Sequence, residues 1–68
     1  MAALNAAFKE GLLIIKKNGN GRIMRTDHDY IKLDYLDCES MIRDAQELNP
    51  LGYTTILNRQ MYEMELTI

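Results

Sequence analysis

The tetrapeptide Asn18-Gly19-Asn20-Gly21 constrains this chain more than any other stretch. Asn and Gly tolerate the positive φ of a tight type I′ turn. Apolar runs flank the pair, Leu12-Leu13-Ile14-Ile15 before it and Arg22-Ile23-Met24-Arg25-Thr26 after it. The expectation is a β-hairpin: a short helix from about Ala2 to Lys9, Gly11 ending it, a strand from Leu12 to Lys17, and a return strand after Gly21. The rival is one helix running to Lys17, with Lys16 and Lys17 at its negative end and Gly19 as its C′ residue. Gly11 is weak in a helix interior, Ile14 and Ile15 prefer strands, and a helix cap leaves the second Asn-Gly unexplained, which favours the hairpin.

Downstream, Asp27-His28-Asp29 reads as a polar turn and Tyr30 to Leu36 as a strand whose apolar face carries Ile31, Leu33 and Tyr35. From Cys38 to Leu48 the period becomes helical, with Cys38, Met41, Ile42, Ala45 and Leu48 on one stripe. Asp37 is placed to cap this helix, and Glu39, Arg43, Asp44 and Glu47 fall on the wet side. Pro50 and Gly52 stop it. Tyr53 to Asn58 and Met61 to Ile68 then alternate as strands, joined either by a hairpin about Asn58-Arg59 or as one long bulged strand. The predicted fold is a single α+β domain over residues 1–68. It has a small antiparallel sheet of 4–5 strands, one amphipathic helix packed on one face and a short N-terminal helix.

A domain of 68 residues buries proportionally little surface, yet 47% of this one is hydrophobic. Apolar side chains fall on both faces of several expected strands, and one helix covers only one side of a sheet. Self-association is the cheapest physical answer, so a two-fold homodimer is expected, with Tyr62, Met64, Leu66 and Ile68 near the contact. The lone Cys38 excludes an intrachain disulfide and makes a reducing cytoplasm the default. The N-terminus lacks the basic region of a signal peptide, and Leu12 to Ile15 is too short to span a bilayer, so no membrane association is expected.

No stretch carries recognisable catalytic chemistry. His28 between Asp27 and Asp29 offers metal-ligand types, but the chain has no second histidine, and a solvated turn accounts for all three. Cys38 and His28 form the only conceivable thiol–imidazole pair. An extended strand between them would hold them roughly 25 Å apart, and Cys38 lies on an apolar stripe, so a buried structural thiol is the simpler reading. Gly19-Asn20-Gly21 lacks the third glycine of a dinucleotide loop and the Lys-Ser/Thr of a P-loop. The expectation is therefore no enzyme, no cofactor and no metal.

Charge separates along the sequence. Residues 1–34 carry six basic and four acidic side chains, net +2; residues 35–68 carry two basic and six acidic, net -4. This favours a non-enzymatic protein-binding module, a small regulator or inhibitor. Its partner-binding surface would comprise Glu39, Asp44, Glu47, Glu63 and Glu65, and such an acidic surface suits a basic groove that otherwise holds nucleic acid. The alternative is a nucleic-acid binder using Lys16, Lys17, Arg22 and Arg25 near the hairpin tip, which an overall acidic chain makes less favourable.

Overall fold

A computed structural model describes residues 6–68, so the expected helix start at Ala2 lies outside the described residues. A short 3-10 turn, Ala6–Phe8, runs into helix α1 (Lys9–Asn18). Strands β1 (Arg22–Thr26) and β2 (Tyr30–Asp34) follow, then helix α2 (Cys38–Leu48) and a 3-10 turn over Asn49–Leu51. Strands β3 (Thr54–Asn58) and β4 (Glu63–Thr67) complete the chain. The four strands form one antiparallel sheet in the order β1-β2-β4-β3. This is the expected α+β architecture.

Alternation along the two central strands fills the core. Ile31 and Leu33 of β2 pair with Leu66 and Met64 of β4, and all four side chains are fully buried. Over them lie Met41, Ala45 and Leu48 from α2, and Phe8, Leu12 and Ile15 from the N-terminal segment, with Tyr35 and Tyr53 closing the ends of the cluster. Asp37 caps α2 as expected: its backbone is extended, and its carboxylate accepts from the Ser40 amide at 2.7 Å and the Ser40 hydroxyl at 3.2 Å. Those bonds, the amide first, hold the Asp37 carboxyl below the usual carboxylate range.

The expected strand at Leu12–Lys17 is instead helical, and the hairpin around Asn18–Gly21 does not form. Gly19 sits in the left-handed region at φ 73° and donates its N–H to the Ile15 carbonyl at 3.0 Å, the C′ arrangement that ends a helix. Packing decides against the strand preference of Ile14 and Ile15. Gly11, Leu12 and Ile15 are buried at helical spacing, whereas Leu13 is exposed. Gly11 does not break the helix because the Tyr53 ring lies directly on it. A Cβ there would meet that ring at 3.1 Å and Leu48 Cδ2 at 3.3 Å. The hairpin that does form joins β1 to β2 through the polar Asp27–Asp29 turn, where the Asp27 N–H bonds the Tyr30 carbonyl at 2.8 Å. The other hairpin, β3 to β4, turns at Asn58, whose Oδ1 accepts from the amides of Gln60 and Met61 at 3.2 Å each.

Gly19→Val should lower stability by about 1 kcal/mol or more, because a β-branched residue is strained at positive φ. Gly19→Asn should cost distinctly less, since Asn tolerates that conformation. Urea midpoints test the order; equal midpoints for Gly19→Val and the parent chain would remove Gly19 as the helix terminator.

Candidate functional site

The sheet has one face under the helices and one open. Cross-strand partners share a face, so the register fixes which residues look outward. Arg22 pairs with Asp34 and Asp34 with Glu63; Arg25 pairs with Lys32 and Lys32 with Glu65. This open face is a mosaic of opposite charges. Arg22 meets Asp34 at 2.5 Å, Lys32 meets Glu63 at 3.4 Å, and Arg25 lies 3.7 Å from Asp27 and 5.8 Å above the Tyr30 ring. A shallow cleft of about 190 Å³, lined by Lys32, Ile56, Asn58, Glu63 and Glu65, lies on it.

A bulge at Met24 puts both arginines on this face. Residues three apart in a regular strand point to opposite faces, but the pairing advances from Ile23 to Arg25 while β2 advances only from Leu33 to Lys32. Ile23 therefore keeps the helix-side orientation of Leu33. The helical layer does not reach it, however, and all five residues of β1 are exposed. Ile23 and Met24 are the apolar members, and Leu36, which follows β2, is 93% exposed. Leu36 lines a second cleft of about 260 Å³ with Gly19, Asn20, Gly21, Arg22, Asp34 and Tyr35.

Beneath that cleft lies a polar network whose Tyr35–Asp44 pair is buried and whose Asn18 and Glu47 reach towards solvent. The Tyr35 hydroxyl donates to Asp44 Oδ2 at 2.6 Å, and the Asn18 amide donates to Asp44 Oδ1 at 2.7 Å and to Glu47 Oε2 at 2.6 Å. Burial, and then the bond to Asp44 and its charge, push the Tyr35 phenol well above its ordinary range. The network joins the end of α1, the residue after β2 and the middle of α2. Among the described residues every buried side-chain nitrogen and oxygen has a partner, so these groups are spent on structure.

The five acidic residues read as one partner-binding surface lie in different places. Asp44 is fully buried, contrary to its expected wet position, because Tyr35 and Asn18 satisfy it there. Glu39 and Glu47 are exposed on α2, and Glu63 and Glu65 lie half-buried on the opposite, open side of the sheet. Of the residues assigned to a dimer contact, Met64 and Leu66 are fully buried under the helices, whereas Tyr62 and Ile68 are exposed. Tyr62 has φ 55°, and its carbonyl accepts the Tyr35 N–H at 2.8 Å. Lys16 and Lys17 are exposed at the end of α1, and Arg22 and Arg25 on β1, so the four cations surround a helix-to-strand connection rather than a hairpin tip. His28 is exposed in its turn and Cys38 is half-buried at the start of α2. Among the described residues no cluster of three or more His, Cys, Asp or Glu side chains could hold a metal ion, and no helix is long and apolar enough to cross a membrane. The exposure of β1 had no sequence signal, because it depends on where the helical layer ends.

Comparison of the chain with protein-family models, curated proteins and solved structures found no match.

Proposed function

We propose that this chain is a non-enzymatic protein-binding module, a small homodimeric regulator or inhibitor that works in a reducing compartment such as the cytoplasm. Its partner docks on β1 and the adjoining cleft. The observation that supports this reading is the uncovered apolar surface there. Ile23 and Met24 lie on a strand exposed along its whole length, and Leu36 extends almost fully into solvent across the cleft. Exposed apolar surface of this kind, rimmed by polar groups, marks interaction sites. The separation of Glu39 and Glu47 from Glu63 and Glu65 favours this surface over an acidic one. The engagement of Arg22 and Arg25 with carboxylates weakens the case for phosphate binding.

The test compares the immobilised chain with a Met24→Glu/Leu36→Glu double variant of unchanged circular dichroism, using captured proteins identified by mass spectrometry. Specific partners held by the parent chain should be lost from the variant. Identical capture by both would overturn the assignment of the surface. Tight binding of mixed oligonucleotides that weakens steeply with salt would overturn the protein-binding reading in favour of Lys16, Lys17, Arg22 and Arg25.

A further inference from the structure

We infer that β3 is the seam of the homodimer: two copies join β3 to β3 antiparallel across a two-fold axis at Ile56, making one eight-stranded sheet. This rests on the homodimer in the reading above and specifies its interface. The argument begins from the difference between the two free edges. β1 carries two arginines and a bulge, both of which discourage another strand from pairing. β3, Thr54-Thr55-Ile56-Leu57-Asn58, has no charge and no proline, and it pairs with β4 without a bulge over all five residues. It is rich in β-branched side chains and has none of the usual edge protection.

The exposed side chains of β3 are also self-complementary. Thr54, Ile56 and Asn58 are exposed, and Ile56, 56% accessible, is the apolar member of a row that otherwise holds Arg25, Lys32 and Glu65. A two-fold axis at Ile56 sets Ile56 against its own copy, Thr55 against Leu57 and Thr54 against Asn58. Ile56 then contacts a second isoleucine instead of water. No like charges meet, because the nearest carboxylates, Glu63 and Glu65, lie one strand back on each side. The two β4 strands are three strand spacings apart, about 14 Å. The same operation at β1 would bring the arginines of both copies together on one face. A β1-to-β3 contact would be head-to-tail and would not close. On the helix side, Asn49 Oδ1 bonds the Thr55 hydroxyl at 3.0 Å and holds the turn bearing the exposed Leu51 beside the seam, adding apolar area.

The full chain should show a dimer mass by light scattering that falls to the monomer on dilution through the micromolar range. Ile56→Lys, a change at an exposed position, should keep the circular dichroism and weaken dimerisation at least tenfold. Ile56→Cys in a Cys38→Ser background should oxidise to a covalent dimer, and Met24→Cys in the same background should not. A monomer mass at every concentration would overturn the inference. So would an unweakened Ile56→Lys dimer, or cross-linking through position 24 as fast as through position 56. Partner capture that survives in Ile56→Lys separates this seam from the docking surface on β1, so either can fail alone.

Discussion

Phe8→Ala should leave a large fraction of molecules unfolded at room temperature. The ring is completely buried, stacks on Tyr53 with centroids 6.1 Å apart and planes 11° off parallel, and belongs to the same cluster as Leu12, Leu48 and Leu66. Truncating a buried phenylalanine to alanine costs about 3–5 kcal/mol, the lost transfer energy plus the cavity left behind. A chain of this length has roughly 3–10 kcal/mol in total at typical values per residue, so the loss is comparable with the whole. Phe8→Leu keeps most of the volume and should retain a cooperative transition. Urea unfolding followed by circular dichroism decides it. A midpoint for Phe8→Ala equal to that of the parent would remove the N-terminal segment from the core.

Asp44→Ala should also destabilise the fold, by about 2–3 kcal/mol, for a different reason. It strands one buried donor, the Tyr35 hydroxyl, at a cost of about 1–3 kcal/mol, and takes one of two acceptors from the half-buried Asn18 amide, which keeps Glu47. Tyr35→Phe combined with Asp44→Ala should therefore cost less than the sum of the two single changes. Additive effects in that cycle would show that the groups do not interact. The same network predicts an alkaline limit. The Tyr35 phenol is raised above its unfolded value of ~10, so the unfolded chain loses this proton first and stability falls as pH rises beyond that value. Above about pH 10 the parent should lose stability through this group and Tyr35→Phe should not; parallel profiles would exclude Tyr35 as the cause.

What could be read from the sequence was set by local chemistry. The Asp37 cap, the stripe through Cys38, Met41, Ile42, Ala45 and Leu48, and the stop at Pro50 and Gly52 lie within one continuous segment, and α2 occurs where they place it, with Met41, Ala45 and Leu48 buried but Cys38 and Ile42 only half-buried. The alternation in β2 and β4 likewise identified Ile31, Leu33, Met64 and Leu66 as one kind of surface. It could not say whether helix or a second subunit would cover them, and for Met64 and Leu66 it is helix. The sequence leaves α1 ambiguous because a glycine after an asparagine suits both a hairpin turn and a helix end. The side chain that decides between them, Tyr53, is 42 residues from Gly11. Asp44 had no local signal at all, since its partners come from two other elements, and the bulge at Met24 moved Arg25 to a face that simple alternation denies it.

The Tyr53 hydroxyl that overlies Gly11 also accepts the Gly11 N–H at 3.1 Å and donates to the Ala7 carbonyl at 2.6 Å, and the N-cap residue of α1, Phe8, makes no side-chain capping bond. The beginning of the first helix is thus completed by a residue from the second half of the chain. During synthesis a ten-residue helix without its cap and without Leu48 and Tyr53 to pack on is too short to persist alone. The first turn of α1 is therefore complete only once Tyr53 is in place to bond Gly11 and Ala7. The strand-like preferences of Ile14 and Ile15 are then harmless only if the segment is captured soon after.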